Sequence, residues 1–143
     1  MKRRHHWLTG QRAAVALLAY CACIAQGQSV HTNLLDKKAK SFLERYNNTL
    51  PTMVAPTLRQ EKSSVFNGSI TLAYTVINKT SSQVAAMNLE VTQRPYIFPS
   101  ICSAPDTGRM LREGYTFRYL YMGNDGKLAA QILVLPADCA GSR

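Results

Sequence analysis

The side chains in this sequence best suited to covalent, metal or acid–base chemistry are Cys21, Cys23, Cys102 and Cys139, His5, His6 and His31, and eight scattered acids. A zinc, copper or haem centre needs several cysteine or histidine ligands converging on one point. A serine or cysteine nucleophile needs a histidine in reach to activate it. Past residue 25 only His31 is left, in a polar stretch, so neither arrangement can be assembled there. No glycine-rich phosphate loop and no Gly-x-Ser-x-Gly turn occurs. A carboxylate pair is the one catalytic arrangement the composition allows. Asp106 and Glu113 are near each other in sequence, but helix caps and solvated helix faces account for them. The expectation is a binding protein with no catalytic residues, no metal and no cofactor.

The cysteines sort by compartment. Lys2, Arg3, Arg4 and Arg12 precede the apolar run Ala13 to Ile24, and small residues follow around Ala25 and Gly27. A basic start, about a dozen apolar residues and a small-residue exit describe a secretory signal peptide. The run is shorter than the ~20 residues a membrane span needs, although an uncleaved N-terminal anchor is the other reading. We therefore read residues 1–25 as a cleaved signal and residues 26–143 as one domain, periplasmic or secreted. Cleavage takes four basic residues and no acid, leaving thirteen basic and eight acidic side chains, a net charge of +5 instead of +9. The remaining charge is scattered, which disfavours a nucleic-acid partner. Ala22 before Cys23 meets one demand of a lipoprotein signal, while Tyr20 meets none; membrane contact is expected only if Cys23 or Cys21 is lipidated. Cys102 and Cys139 are the two cysteines left after cleavage, and an oxidising compartment allows them a single connectivity. Such a bond is worth roughly 3–4 kcal/mol on the chain-entropy model; two buried free thiols are the alternative.

The elements that position these groups follow from periodicity. Leu35, Ala39, Phe42, Leu43 and Tyr46 form one stripe at helical spacing from Thr32 onward, with Asp36, Lys37, Lys40, Glu44 and Arg45 opposite. Pro51 and Pro56 bracket Thr52 to Ala55, which reads as an extended link. Thr57 to Phe66 is a weak strand candidate. Asn67-Gly68 is a hairpin signal, and Ser69 to Asn78 alternates with Ile70, Leu72, Tyr74 and Val76 on one face. Gln83 to Gln93 reads as a helix with Val84, Met87 and Val91 as its stripe. Pro95 and Pro99 are expected to break it, making Tyr96 to Ile101 a short second helix or tight apolar turn. A further short helix holds Met110 and Leu111, stopped by Gly114. Tyr115, Phe117, Tyr119 and Tyr121 alternate on one face of a strand, Gly123 to Gly126 makes a turn, and Lys127 to Leu135 returns. Both faces of that last strand are largely apolar, so it reads as central or as covered on its second face. The order α-β-β-α-(α)-β-β gives an α+β fold: a four-stranded antiparallel sheet from two hairpins, with helices packed on one face.

The tyrosine-rich strand is the most suggestive surface candidate. Its aromatics either pack beneath the helices with hydroxyls at the rim or form a platform left open for a partner. An RNA-binding sheet also presents aromatics, but export and scattered charge speak against it. Three Asn-x-Ser/Thr triplets, at Asn47, Asn67 and Asn78, fall in expected turns, where these residue types gather anyway.

The spacing Cys102-x-x-Pro105, Leu111-x-x-Gly114, Tyr115-x-x-x-Tyr119-x-Tyr121, Gly126 and Val134-x-Pro136-x-Asp138-Cys139, with Leu50-Pro51-x-x-Val54 and Tyr74-Thr75 upstream, resembles small exported bacterial proteins with one disulfide. The same cysteine-to-cysteine layout is similar to that of the alternative (Vibrio-type) pilotins of type II secretion. The resemblance implies helices on an antiparallel sheet, one disulfide, and a periplasmic accessory or chaperone-like protein that binds a short helical segment of the outer-membrane secretin and escorts it to the outer membrane. On that reading, a partner helix or strand docks near Tyr115, Phe117, Tyr119 and Tyr121 and the segment containing Phe98 and Ile101. A rigid basic domain that blocks an acidic cleft, as an inhibitor or immunity protein of a secreted or periplasmic enzyme, is the alternative function.

Overall fold

The structure, a computed structural model, describes residues 34–140. The expected signal peptide, Cys21, Cys23 and His31 lie outside the described residues. Residues 34–47 form α1, with Leu35, Ala39 and Leu43 buried. The strands β1 (Thr52–Ala55), β2 (Leu58–Gln60), β3 (Ser64–Phe66) and β4 (Ser69–Val76) follow. Then come α2 (Ser81–Ala85), α3 (Leu89–Ser103), α4 (Pro105–Arg112), β5 (Thr116–Gly123), β6 (Leu128–Val134) and a 3-10 turn, Pro136–Cys139.

The class is α+β, but the sheet differs from the four-stranded antiparallel one expected. It is six-stranded and mixed, in the order β1-β2-β4-β5-β6, with β3 also paired to β4. The segment Thr52 to Ala55 is a paired strand instead of a link, and Thr57 to Phe66 divides into β2 and β3, both antiparallel to β4. At its centre, β4 and β5 run parallel over eight register pairs, from Ser69↔Thr116 to Val76↔Gly123. The reason is the connection. A crossover through α2, α3 and α4 carries the chain back to the end it started from, so the next strand runs in the same direction.

Local signals explain the turns. Asn67 (φ 50°) and Gly68 (φ 70°) both take the left-handed region at the β3–β4 hairpin. The Asp36 carboxylate accepts from both of their backbone N–H groups, at 2.9 and 2.7 Å. Thr80 caps α2, with Gln83 reaching back to its N–H at 2.9 Å in a capping box.

The helix expected over Gln83 to Gln93 is split at Asn88, which is left-handed, and α3 then runs straight through Pro95 and Pro99. The prolines were expected to end it. Both are exposed and lie four residues apart on one side of the helix. The carbonyls deprived of an N–H donor are on that solvent side, where water can satisfy them. At the other end of the sheet, β6 is an edge strand, not a central one. Ala129 is an extra residue in its pairing with β5, and Leu128 and Leu133 are 57% and 37% exposed.

The core lies between the sheet and the helices. In β4, β5 and β6 the register rows Ile70–Phe117–Val134, Leu72–Tyr119–Ile132 and Tyr74–Tyr121–Ala130 share the helix-covered face. One cluster joins Leu35, Ala39 and Leu43 to Ile70, Ile101, Met110, Leu111, Tyr115, Phe117 and Val134. A second joins Val76, Val84, Leu89, Tyr121 and Ile132. Cys102 and Cys139 are bonded, with Cα atoms 5.4 Å apart, fastening the end of α3 to the 3-10 turn.

Candidate functional site

Two helices cover one face of the sheet, each toward a different edge. Toward β2, β3 and β4, α1 is fixed by Asp36 at the hairpin, by Asn47, whose carboxamide donates to Ser63 O and accepts from Ser63 N at 2.7 Å each, and by Tyr46 on Gln60. Toward β6, α3 is held by its packing on that strand, by the disulfide and by Arg94, 3.5 Å from the Asp138 carboxylate. Between them, over the parallel β4–β5 seam, Leu72, Tyr74 and Tyr119 are only partly covered.

The six residues expected at a partner-binding surface divide accordingly. Tyr115 (0% exposed), Phe117 (2%), Ile101 (4%) and Tyr121 (7%) are core residues. Their burial removes the contact surface expected of them, because α1, α3 and α4 close over the start of the strand and α2 and α3 over its end. Tyr119 and Phe98 are half-buried, and with Ile97 they pack against both core clusters, at the junction between them.

Other aromatics complete a strip around Tyr119. Tyr74, half-buried on β4, stacks on Tyr119 with ring centroids 6.2 Å apart and on Tyr121 at 5.4 Å. On α1, Phe42 stacks with Tyr46 at 6.4 Å, an i, i+4 pair. Tyr46 is 39% exposed, and its hydroxyl exchanges hydrogen bonds with the buried Gln60 carboxamide (3.1 Å to Oε1, 2.8 Å from Nε2). Leu72 adds a half-buried aliphatic side chain beside Tyr119. On α3, the Arg94 guanidinium stands 4.3 Å over the Phe98 ring. The sequence signals for Tyr74, Phe42 and Tyr46, strand alternation and helical spacing, mark a core-facing side chain. They do not tell how far the covering helix reaches.

The chemistry of the strip is that of neutral phenols. Burial, with the neighbouring phenols of Tyr121 and Tyr46, pushes the Tyr119 hydroxyl up to about 12. Tyr74 is raised by burial and by Tyr119, Tyr46 and Tyr121, and Tyr121 by burial. Such groups offer ring faces and weak hydrogen bonds to a ligand, and no nucleophile or acid–base pair at neutral pH. Among the described residues no group of three or more His, Cys, Asp or Glu is placed to hold a metal, and no helix is long and apolar enough to cross a membrane.

No protein-family model matches the chain, and no curated protein matches it in sequence. Solved structures do match its fold. A Pseudomonas aeruginosa protein inferred to be secreted superposes with a TM-score of 0.68 at 14% identity, over 76% of this chain and 96% of that one. The Vibrio vulnificus type 2 secretion pilotin EpsS gives 0.61 at 16% identity, over 80% and 99%. The Vibrio cholerae type II secretion pilotin AspS gives 0.55 at 19%, over 78% and 97%. This chain therefore has the fold of these proteins over nearly their whole length.

Proposed function

We propose that this chain is an exported, periplasmic protein-binding factor, a pilotin-like accessory of an envelope or secretion assembly. Its partner is an apolar segment of another envelope protein, a secretin in the first instance, docked on Tyr119, Tyr74, Tyr46 and Phe98. The observation that carries this reading is the partly uncovered aromatic strip, which a closed structural core would have covered. Large aromatic rings at such a surface contribute most of the affinity in protein–protein contacts. The fold shared with two type II secretion pilotins supports the role.

The test is capture of a secretin from envelope extract by residues 26–143, followed by titration of that secretin's binding segment. Tyr119→Ala and Tyr46→Ala should each weaken binding at least about tenfold, the scale of a contact worth more than 1 kcal/mol. Tyr46→Phe keeps the ring and separates its contact from its hydrogen bonds to Gln60, and near-ultraviolet circular dichroism confirms that each variant folds. Recovery of a lone hydrolase or toxin in place of a secretin would instead favour the inhibitor reading.

A further inference from the structure

The two edges of the sheet are built differently. β1 is 4 residues long, and its pairing with β2 is interrupted by an extra residue, Val54. Pro51 precedes it and Pro56 follows it. Shortness, a bulge and flanking prolines are common means of stopping a sheet edge from pairing with another chain.

β6 is 7 residues long and contains no charge and no proline. Its bulge, at Ala129, disturbs only the beginning of the strand. Among the described residues, no backbone group from Ala130 to Val134 pairs with any element but β5. An edge strand turns alternate N–H and C=O groups away from its neighbour, so this edge offers a row of donors and acceptors. Ile132 and Val134 are buried on the helix-covered face. On the other face Leu128, Gln131 and Leu133 are exposed, and Leu135 just beyond the strand is 41% exposed.

From this contrast we infer that β6 pairs with β6 of a second copy of the chain, antiparallel about a two-fold axis, joining two sheets into one. The choice of a second copy rests on both edges together. Pairing β6 with β1 of another molecule is head-to-tail and extends into a filament; the blunted β1 opposes it. Pairing β6 with itself closes after two copies. With the axis near Ile132, the middle of the unbulged stretch, the exposed Gln131 and Leu133 of one copy meet the same two residues of the other. The leucines then leave water and no charge is buried. Basic side chains outnumber acidic ones in the chain, so copies repel at a distance, and an uncharged strand is where they meet with no like charges opposed. One strand a side is far less than the roughly 20–30 residues of a stable interface, so the dimer is weak and depends on concentration. It is independent of what binds the aromatic strip.

Sedimentation velocity on residues 26–143 tests it. The sedimentation coefficient should rise toward that of a dimer between about 10 μM and about 1 mM. The rise should be steeper at high salt, which screens the like charges. Gln131→Lys, at an exposed position that brings two ammonium groups close together beside the axis, should weaken the dimer at least about tenfold. Met53→Lys, on the β1 edge, should leave it unchanged. Backbone amides of β6 should gain hydrogen-exchange protection with concentration, and those of β1 should not. A chain that stays monomeric to about 1 mM would overturn the inference. So would a dimer indifferent to Gln131→Lys, or one that protects amides elsewhere and not in β6.

Discussion

The Tyr115 hydroxyl donates to the Leu35 carbonyl at 2.7 Å from a ring with no exposure. One side chain thus fills the core and fixes the start of α1 above β5. Removing that hydroxyl takes away a buried hydrogen bond, while the carbonyl keeps its place in the α1 ladder, which costs about 0.5–1.5 kcal/mol. Tyr115→Phe should lower the urea midpoint by that free energy divided by the slope, with the slope itself unchanged, since the ring stays in place. An unchanged midpoint would mean that water replaces the phenol. Sequence alternation put Tyr115 in the same class as Tyr119, yet one is sealed under two helices and the other stands at a gap. Periodicity assigns a side chain to a face; how completely that face is covered depends on helices far away in the chain.

Among the elements, α3 and α4 meet at Gly108, whose buried position brings it against the Cys102 carbonyl, leaving no room for a Cβ. Gly108→Ala would gain helix propensity of about 1 kcal/mol, but the enforced separation at an overpacked contact costs about 1–3 kcal/mol. The variant should therefore unfold at lower temperature than the parent; a higher melting temperature would show that the α3–α4 junction can yield. The local elements were the readable ones. Asn67-Gly68 announces the β3–β4 hairpin because the turn chemistry lies within two residues, and the α1 stripe announces its buried face. Pro95 and Pro99 misled because a proline ends a helix only where its lost hydrogen bond cannot be replaced. The antiparallel expectation failed because strand direction at the β4–β5 seam is set by the path of the three intervening helices, which no local pattern encodes.

At the scale of the whole molecule, the stacked phenols tie stability to pH. Phenols in an unfolded chain ionise near about 10, whereas Tyr119 is held to about 12, with Tyr74 and Tyr121 also raised. Between those values the unfolded chain has released protons that the folded one retains. Stability is therefore complete below about pH 10 and falls as the pH rises toward about 12. Urea midpoints should drop across that window; midpoints that stay constant from about pH 10 to about 12 would contradict it. The β4–β5 seam also bears on how the molecule is built in time. Every pair across it joins residues 47 positions apart, whereas the β3–β4 and β5–β6 hairpins close over a few residues. Hairpins of that kind form in microseconds and contacts of long sequence separation form late. The seam is then the last part of the sheet to close, and it joins two halves that can each begin to fold alone.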